Sequence, residues 1–257
     1  MTSIQDIIST IEAVAPKELQ ESYDNVGLQC GSPSQSVSKV LTCLDITEAV
    51  VDDAIARGCQ LIVSHHPLIF RSIKNLCPES SYINRTLIKA IRHDIALYCA
   101  HTNLDKAEGG VNYRMAEVLG LGEVRPLSDG GIIGTLPQSL APTGFLQLVK
   151  ERFQADCVCS NINDCKVKDV RRIALCGGSG SFCIEEAEAL KADAFLTGEI
   201  KYHDFFDHSQ LLLVEAGHYE TEQYTKQLLS DIITKQLPEV EVIVSEVRTN
   251  PRSLYQW

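Results

Sequence analysis

The chain contains seven histidines, and two of them, His65 and His66, stand side by side in LIVSHHPLIF, directly before Pro67. On a regular strand neighbouring side chains point to opposite faces. At a strand end, with a proline restricting the backbone of His66, the chain can turn and let each imidazole reach a different point of one cleft. Two adjacent histidines therefore suit two metal ions better than one. His218 and Glu222 make a second arrangement, an imidazole and a carboxylate four residues apart. If a helix starts near His218 they lie on one face of it and can grip the same site. The logic is that of HExxH, with the carboxylate as ligand instead of general base. Asp105 adds a further carboxylate, the side chain able to bridge two cations. The mixed imidazole and oxygen donors suit zinc, manganese, iron or nickel, and two such ions roughly 3.5–4 Å apart activate a shared water as nucleophile. The alternative is a set of separate surface histidines and helix-capping acids.

The elements that must position these residues come in two copies. KVLTCLDITEAVVDDAIARGCQLIVSHH reads as strand, helix, glycine turn and strand, a βαβ unit, and RRIALCGGSGSFCIEEAEALKADAFLTGEI reads the same way. Setting Leu44 against Gly177 places His65 and His66 where Gly198 and Glu199 stand in the second copy. Downstream, HDIALYCAHTNLD and HSQLLLVEAGHYETE each give an apolar strand, an alanine, a histidine and then a carboxylate four places on: His101 with Asp105, and His218 with Glu222. This pattern predicts an α/β protein of two similar lobes made by internal duplication, with mixed sheets flanked by helices. Ligands in open α/β sheets collect at the carboxyl ends of strands, where all these polar residues fall; two similar lobes facing each other would aim them into one cleft. The stretch SDGGIIGTLPQSLAPTGF, rich in Gly, Pro and Ser, reads as a linker, so the lobes are expected over 1–126 and 127–257, the second closing with a helix in TEQYTKQLLSDIITKQL and a strand in EVEVIVSEV.

Composition narrows the class. With 257 residues, 44% apolar and 22% charged, the chain can bury a substantial core. A net charge of −11 argues against a sequence-independent grip on nucleic acid. The start, MTSIQDIISTIEAVAPKEL, spaces Ile4, Ile7, Ile8, Ile11 and Val14 as an amphipathic helix, with Thr2 and Gln5 as a capping box, and not as a signal peptide. No apolar run approaches the roughly 20 residues of a membrane span; a cytoplasmic protein is expected. Most of the ten cysteines sit in strand-like runs as small core residues; Cys157, Cys159 and Cys165 lack the CxxC pair of a zinc knuckle.

The motifs DNVGLQCG, LIVSHHPLIF, HTNLD, GGSGS, LTGEIKYHD and GHYETEQ, in this order and spacing over nearly the whole chain, resemble the Nif-three-like family of the YbgI type, often labelled GTP cyclohydrolase type 2. The resemblance implies five metal ligands at His65, His66, Asp105, His218 and Glu222, with Glu222 as the bridge, two divalent ions per chain, and a toroidal homohexamer whose sites face an internal cavity. Longer members carry an inserted domain that this chain lacks. It also implies a purine nucleotide such as GTP as substrate, though nothing in the residues selects guanine.

Further residues have two readings each. Glu199 is a general base or an acceptor that fixes a ligand imidazole; His101 is a proton shuttle or hydrogen-bonded to backbone. Tyr202 and His203 are candidates for substrate contact, and Asp24 and Asn25 support the site or form a turn. CGGSGS cradles a phosphate or makes a tight turn. The chain is therefore expected to be a metal-dependent hydrolase; the alternatives are a metal-binding scaffold or interaction protein without turnover, and a DNA-related toroid in repair.

Overall fold

The computed structural model describes residues 1–253 and 255. In chain order the elements begin with α1 (Ile4–Val14), β1 (Gly27–Cys30), β2 (Lys39–Cys43), α2 (Glu48–Arg57), β3 (Leu61–Ser64), α3 (Tyr82–Arg92), β4 (Ala96–Cys99) and α4 (Thr102–Lys106). They continue with α5 (Val111–Leu119), β5 (Gly122–Pro126), β6 (Ile132–Leu140), α6 (Pro142–Arg152), β7 (Cys159–Ser160), β8 (Val170–Cys176), α7 (Ile184–Ala189) and β9 (Ala194–Thr197). The last are β10 (Leu212–Glu215), α8 (His218–Glu222), α9 (Thr225–Gln236) and β11 (Glu241–Val244).

Two compact units form, one from 1–107 with 225–251, the other from 108–224 with 252, 253 and 255. This differs from a single boundary at Pro126. The chain crosses between units more than once, because α9 and β11 return to the first unit: β11 adds parallel to β2, and α9 packs on α1 and β2.

The first unit holds one mixed sheet, ordered β1-β4-β3-β2-β11, in which only β1 runs antiparallel to its neighbour. Alternation assigns its two faces. Leu41, Cys43, Ile62 and Leu97 pack with Val50, Val51 and Ala54 of α2 and Leu87 and Ala90 of α3. The opposite face carries Tyr98, whose hydroxyl reaches Glu12 of α1. Helix α1 buries Ile4, Ile7, Ile8 and Ile11 along one stripe, each worth about 1.5–3 kcal/mol before entropy is counted. Its cap is Ser3 with Asp6, a reciprocal box, one residue later than the Thr2 and Gln5 expected; the Thr2 hydroxyl instead binds Glu239.

The second unit repeats the plan with the order β5-β6-β8-β9-β10-β7, parallel from β8 to β10. Ile173, Leu175, Leu196 and Val214 face α5 and α6; Ala174, Phe195 and Leu213 face α7. The segment expected as linker is β6, a nine-residue strand between β5 and β8. Pro137, which cannot donate to a ladder, falls where the β6–β8 register breaks between Thr135 and Leu140.

The duplication is close enough to share its supporting contacts. Gln60 Oε1 accepts the backbone N–H groups of Ser38 and Lys39 at 2.9 and 3.0 Å. Asp193 does the same for Arg171 and Arg172 at 3.0 and 2.7 Å. Both side chains thereby anchor the start of their unit's first parallel strand. No helix among the described residues is long and apolar enough to cross a membrane.

Candidate metal centre

Strands β2, β3 and β4 run parallel, so their carboxyl ends share one edge of the first sheet. At that edge the chain turns after Ser64: the amides of His65 and His66 bind the carbonyls of Cys43 and Leu44, and the Ser64 hydroxyl binds the carbonyl of His66 at 2.7 Å. The turn brings the two rings onto one side, 4.9 Å apart between centroids, as the Pro67 argument expected. His101, just past β4, stands 5.2 Å from His65 and 5.4 Å from His66.

Each of the three rings has its Nδ1 committed to an acceptor. His65 Nδ1 is 2.9 Å from the carbonyl of Ala100, His66 Nδ1 is 2.7 Å from Asp45 Oδ1, and His101 Nδ1 is 2.9 Å from Asp24 Oδ1. A carbonyl only accepts, so the His65 ring carries a proton on Nδ1, and in its neutral form it turns an Nε2 lone pair outward. That lone pair faces another electron-rich atom, Asp105 Oδ1, at 3.6 Å, with the His65 side chain fully buried. An imidazole nitrogen and a carboxylate oxygen that face each other across this gap are donors that a cation can join. His65, His66 and His101 offer ligand nitrogens within 4.8 Å of one another and can hold a metal ion. His101 was expected as a shuttle or a backbone-bonded ring; its position makes it a third imidazole of this cluster.

The carboxylates behind the rings are fixed as well. Burial works to raise the Asp24 carboxyl, but donation from His101 and Thr102 outweighs it and holds the group well below the usual range. Asp24 also receives the amide of Asn25. The same balance, burial opposed by His66 and Thr249, lowers Asp45. Carboxylates ionised in this way raise the basicity of the imidazoles they hold. Asn25 acts elsewhere, its side-chain amide binding the carbonyl of Ile69 at 2.6 Å and tying down the loop after the histidine pair. Tyr23 and Phe70 stack edge to face at 6.4 Å, with Phe70 also 6.2 Å from His101.

The second unit carries a smaller set at the equivalent edge. His218 opens α8 and Glu222 closes it, one turn apart, with His218 Nε2 3.1 Å from Glu222 Oε2. The copies differ by one residue here: His101 is the N-cap of α4, whereas Gly217 caps α8 and His218 is its first residue. Glu199 Oε1 lies 3.5 Å from His218 Nδ1, and its other oxygen accepts from Ser179 at 2.7 Å. Burial acts to raise the Glu199 carboxyl, yet these two partners hold it below its ordinary value. Of its two expected readings, the geometry matches the acceptor that fixes an imidazole.

The glycine motif is explained by the same corner. Gly178 has φ +57, and a Cβ there would run into Glu222 Oε1. The amides of Gly177, Gly178 and Gly180 are taken by the side chains of Asn112, Thr221 and Thr197, so the loop is a turn that admits Glu222 and these amides do not cradle a phosphate. Gly198, the counterpart of His65, is boxed in: an added Cβ would sit 2.7 Å from the Gly178 carbonyl and 2.9 Å from His218 Cα. No histidine fits there, and the second copy has none. Tyr202 and His203 lie on a short 3-10 turn, exposed and stacked on each other at 5.2 Å.

Sequence reasoning missed Asp45, Ser179 and Thr249. Asp45 had a signal, a carboxylate two residues past the end of β2 at the position equivalent to Gly178; the other two had none.

The chain is similar to known proteins over nearly its whole length. A Clostridium perfringens protein named GTP cyclohydrolase 1 type 2 homolog is 32% identical over 261 aligned positions, covering 96% of this chain and 98% of that protein. A Streptococcus pneumoniae protein of the same name is 34% identical, covering 96% and 97%. Among solved structures, the Staphylococcus aureus hypothetical protein SA1388 superposes with a TM-score of 0.90 at 27% identity, over 98% of this chain and 99% of that one. The Duf34/NIF3 (NGG1p interacting factor 3) family model matches residues 2–251, and the chain belongs to that family.

Proposed function

We propose that the protein is a metal-dependent hydrolase that uses the five ligands implied by the family resemblance, His65, His66, Asp105, His218 and Glu222, to hold two divalent cations, and that its substrate is a purine nucleotide whose ring it opens. The observation that carries the reading is the Nδ1-anchored trio of the first unit, with the buried His65 Nε2 facing Asp105 Oδ1 at 3.6 Å. When bound, such a pair of cations supplies an acidified water and a Lewis acid for the electrophilic carbon.

The chain's own residues do the rest. Asp45, Asp24 and Glu199 orient the rings of His66, His101 and His218 from behind. His101, whose ring is edge to face with Phe70, carries a proton to or from substrate at Nε2. Tyr202 and His203, exposed on their turn, meet the substrate. The relatives named GTP cyclohydrolase 1 type 2 homolog favour GTP as the first compound to try, and a homohexamer is the assembly the resemblance implies.

The test is incubation of metal-loaded protein with GTP, following loss of the purine absorbance and release of formate. Turnover that disappears in His101→Gln, which removes the proton carrier, while metal content stays close to native is expected. Full metal content with no turnover of any nucleotide would overturn the enzyme reading. The family description, which names an interacting factor, favours a scaffold in that event.

A further inference from the structure

Strand β11 joins the first sheet parallel to β2 in register, Glu241 with Lys39 through Val244 with Thr42. It therefore ends at the edge where β2 and β3 end, which is the edge that carries Asp45 and the histidine pair. The residues beyond β11 are tied down one after another. The Ser245 amide binds the Thr42 carbonyl at 2.8 Å, its hydroxyl binds Asp53 at 3.2 Å, and its carbonyl accepts from Lys226 at 3.0 Å. Val247 donates to the Ser245 hydroxyl and packs on the α2–α3 core. Two residues on, the Thr249 hydroxyl donates to Asp45 Oδ2.

Asp45 thus has both oxygens engaged, Oδ1 by His66 Nδ1 and Oδ2 by Thr249. We infer that Thr249 is a positioning residue for the metal centre: it locks the Asp45 carboxylate so that His66 keeps its Nδ1–H form and presents Nε2 to a cation. Without the hydroxyl the carboxylate can rotate about its terminal bond, which is broad and soft, and the His66 ring loses the partner that fixes its orientation. The tail thereby couples docking of β11 to the quality of a ligand far earlier in the chain. The inference rests on the reading of His66 as a ligand.

The test is Zn2+ affinity of the full chain, measured by competition with a chromogenic chelator, for native protein, Thr249→Val, Thr249→Ser and His66→Ala. Outer partners of metal ligands are worth roughly 10- to 100-fold in affinity, so Thr249→Val is expected to weaken Zn2+ binding about tenfold and Thr249→Ser to restore it to within about twofold. In metal-free protein the 15N shifts of the His66 ring should move toward a mixed tautomer in Thr249→Val and stay native in Thr249→Ser. A merely structural tail would not produce that signature. If His66→Ala loses Zn2+ and Thr249→Val binds it as native does, the positioning role is wrong. If His66→Ala also binds as native does, the ligand reading itself has failed. Should Thr249→Val fold poorly, Thr249→Ala gives the same discrimination.

Discussion

Asp24 offers the sharpest test of how the imidazole cluster is built. Its side chain is fully buried and divides its acceptors cleanly: Oδ1 takes His101 Nδ1 and the Asn25 amide, at 2.9 and 2.7 Å, and Oδ2 takes the amide and hydroxyl of Thr102. Thr102 Oγ1 in turn accepts from the Glu21 amide at 2.9 Å. In Asp24→Asn the amide oxygen can serve only one of these pairs. Keeping His101 and Asn25 turns the NH2 toward Thr102; the hydroxyl can rotate to accept, but the Thr102 N–H then faces a donor. One hydrogen bond to a charged acceptor is lost, worth about 1.5–3 kcal/mol, and the bond from His101 falls to the strength of a neutral one, roughly half. The sum is about 2–4 kcal/mol. For a chain of this size each kcal/mol moves Tm by roughly 2–4 °C, so metal-free Asp24→Asn should melt about 4–16 °C below native by circular dichroism. Thr102→Val removes the other side of the same network, and the double variant should be less destabilised than the sum of the two by more than about 1 kcal/mol. A melting point within about 1 °C of native, or strict additivity, would refute the network as described.

Other outcomes follow from single contacts. Gly178→Ala forces a left-handed backbone on a residue with a Cβ, at about 1–2 kcal/mol, and drives that Cβ into Glu222; elemental analysis should show reduced metal even where thermal unfolding shows a folded protein. Gln60→Ala and Asp193→Ala each strip two backbone donors of their acceptor and should each lower stability by about 1–3 kcal/mol, with the carboxylate of Asp193 the costlier to lose, if the duplication is as close as the contacts imply. Exposed Cys77, Cys157 and Cys159 should react with a disulfide reagent at pH 8 well before the buried thiols, since burial pushes Cys99 up to about 12 and Cys59 up to about 11; fast modification of either would contradict the packing.

Much of the architecture is legible in the chain because periodicity and turn residues agree there. The two βαβ copies, from Lys39 and from Val170, have apolar runs bounded by Gly58 and by the Gly177–Gly180 loop, and they fold as read. Segments whose structure is set from a distance were not legible. β6 looks like a linker by composition, yet two neighbouring strands recruit it and place its proline at a break in register. The continuous helical pattern after Thr221 divides after Glu222, because Tyr224 and Gln223 are anchored to the carbonyls of Arg152 and Phe153 in the second unit while α9 packs in the first. No glycine or proline marks that break. β11 reads correctly as a strand, but its membership of the first sheet depends on pairing with a strand near the other end of the chain. At the site, the histidines and acids were visible as residue types at strand ends. Thr249 and Ser179 were not, since a hydroxyl that supports a carboxylate looks like any other hydroxyl until the fold brings the two together.

The central claim is a two-cation centre that includes Glu222. Elemental analysis of protein purified without chelator or affinity metal, native beside Glu222→Ala, tests it most directly. The account predicts close to two equivalents of divalent metal per native chain and a large loss in the variant. Native protein that carries no metal, or a variant that retains all of it, would contradict the account.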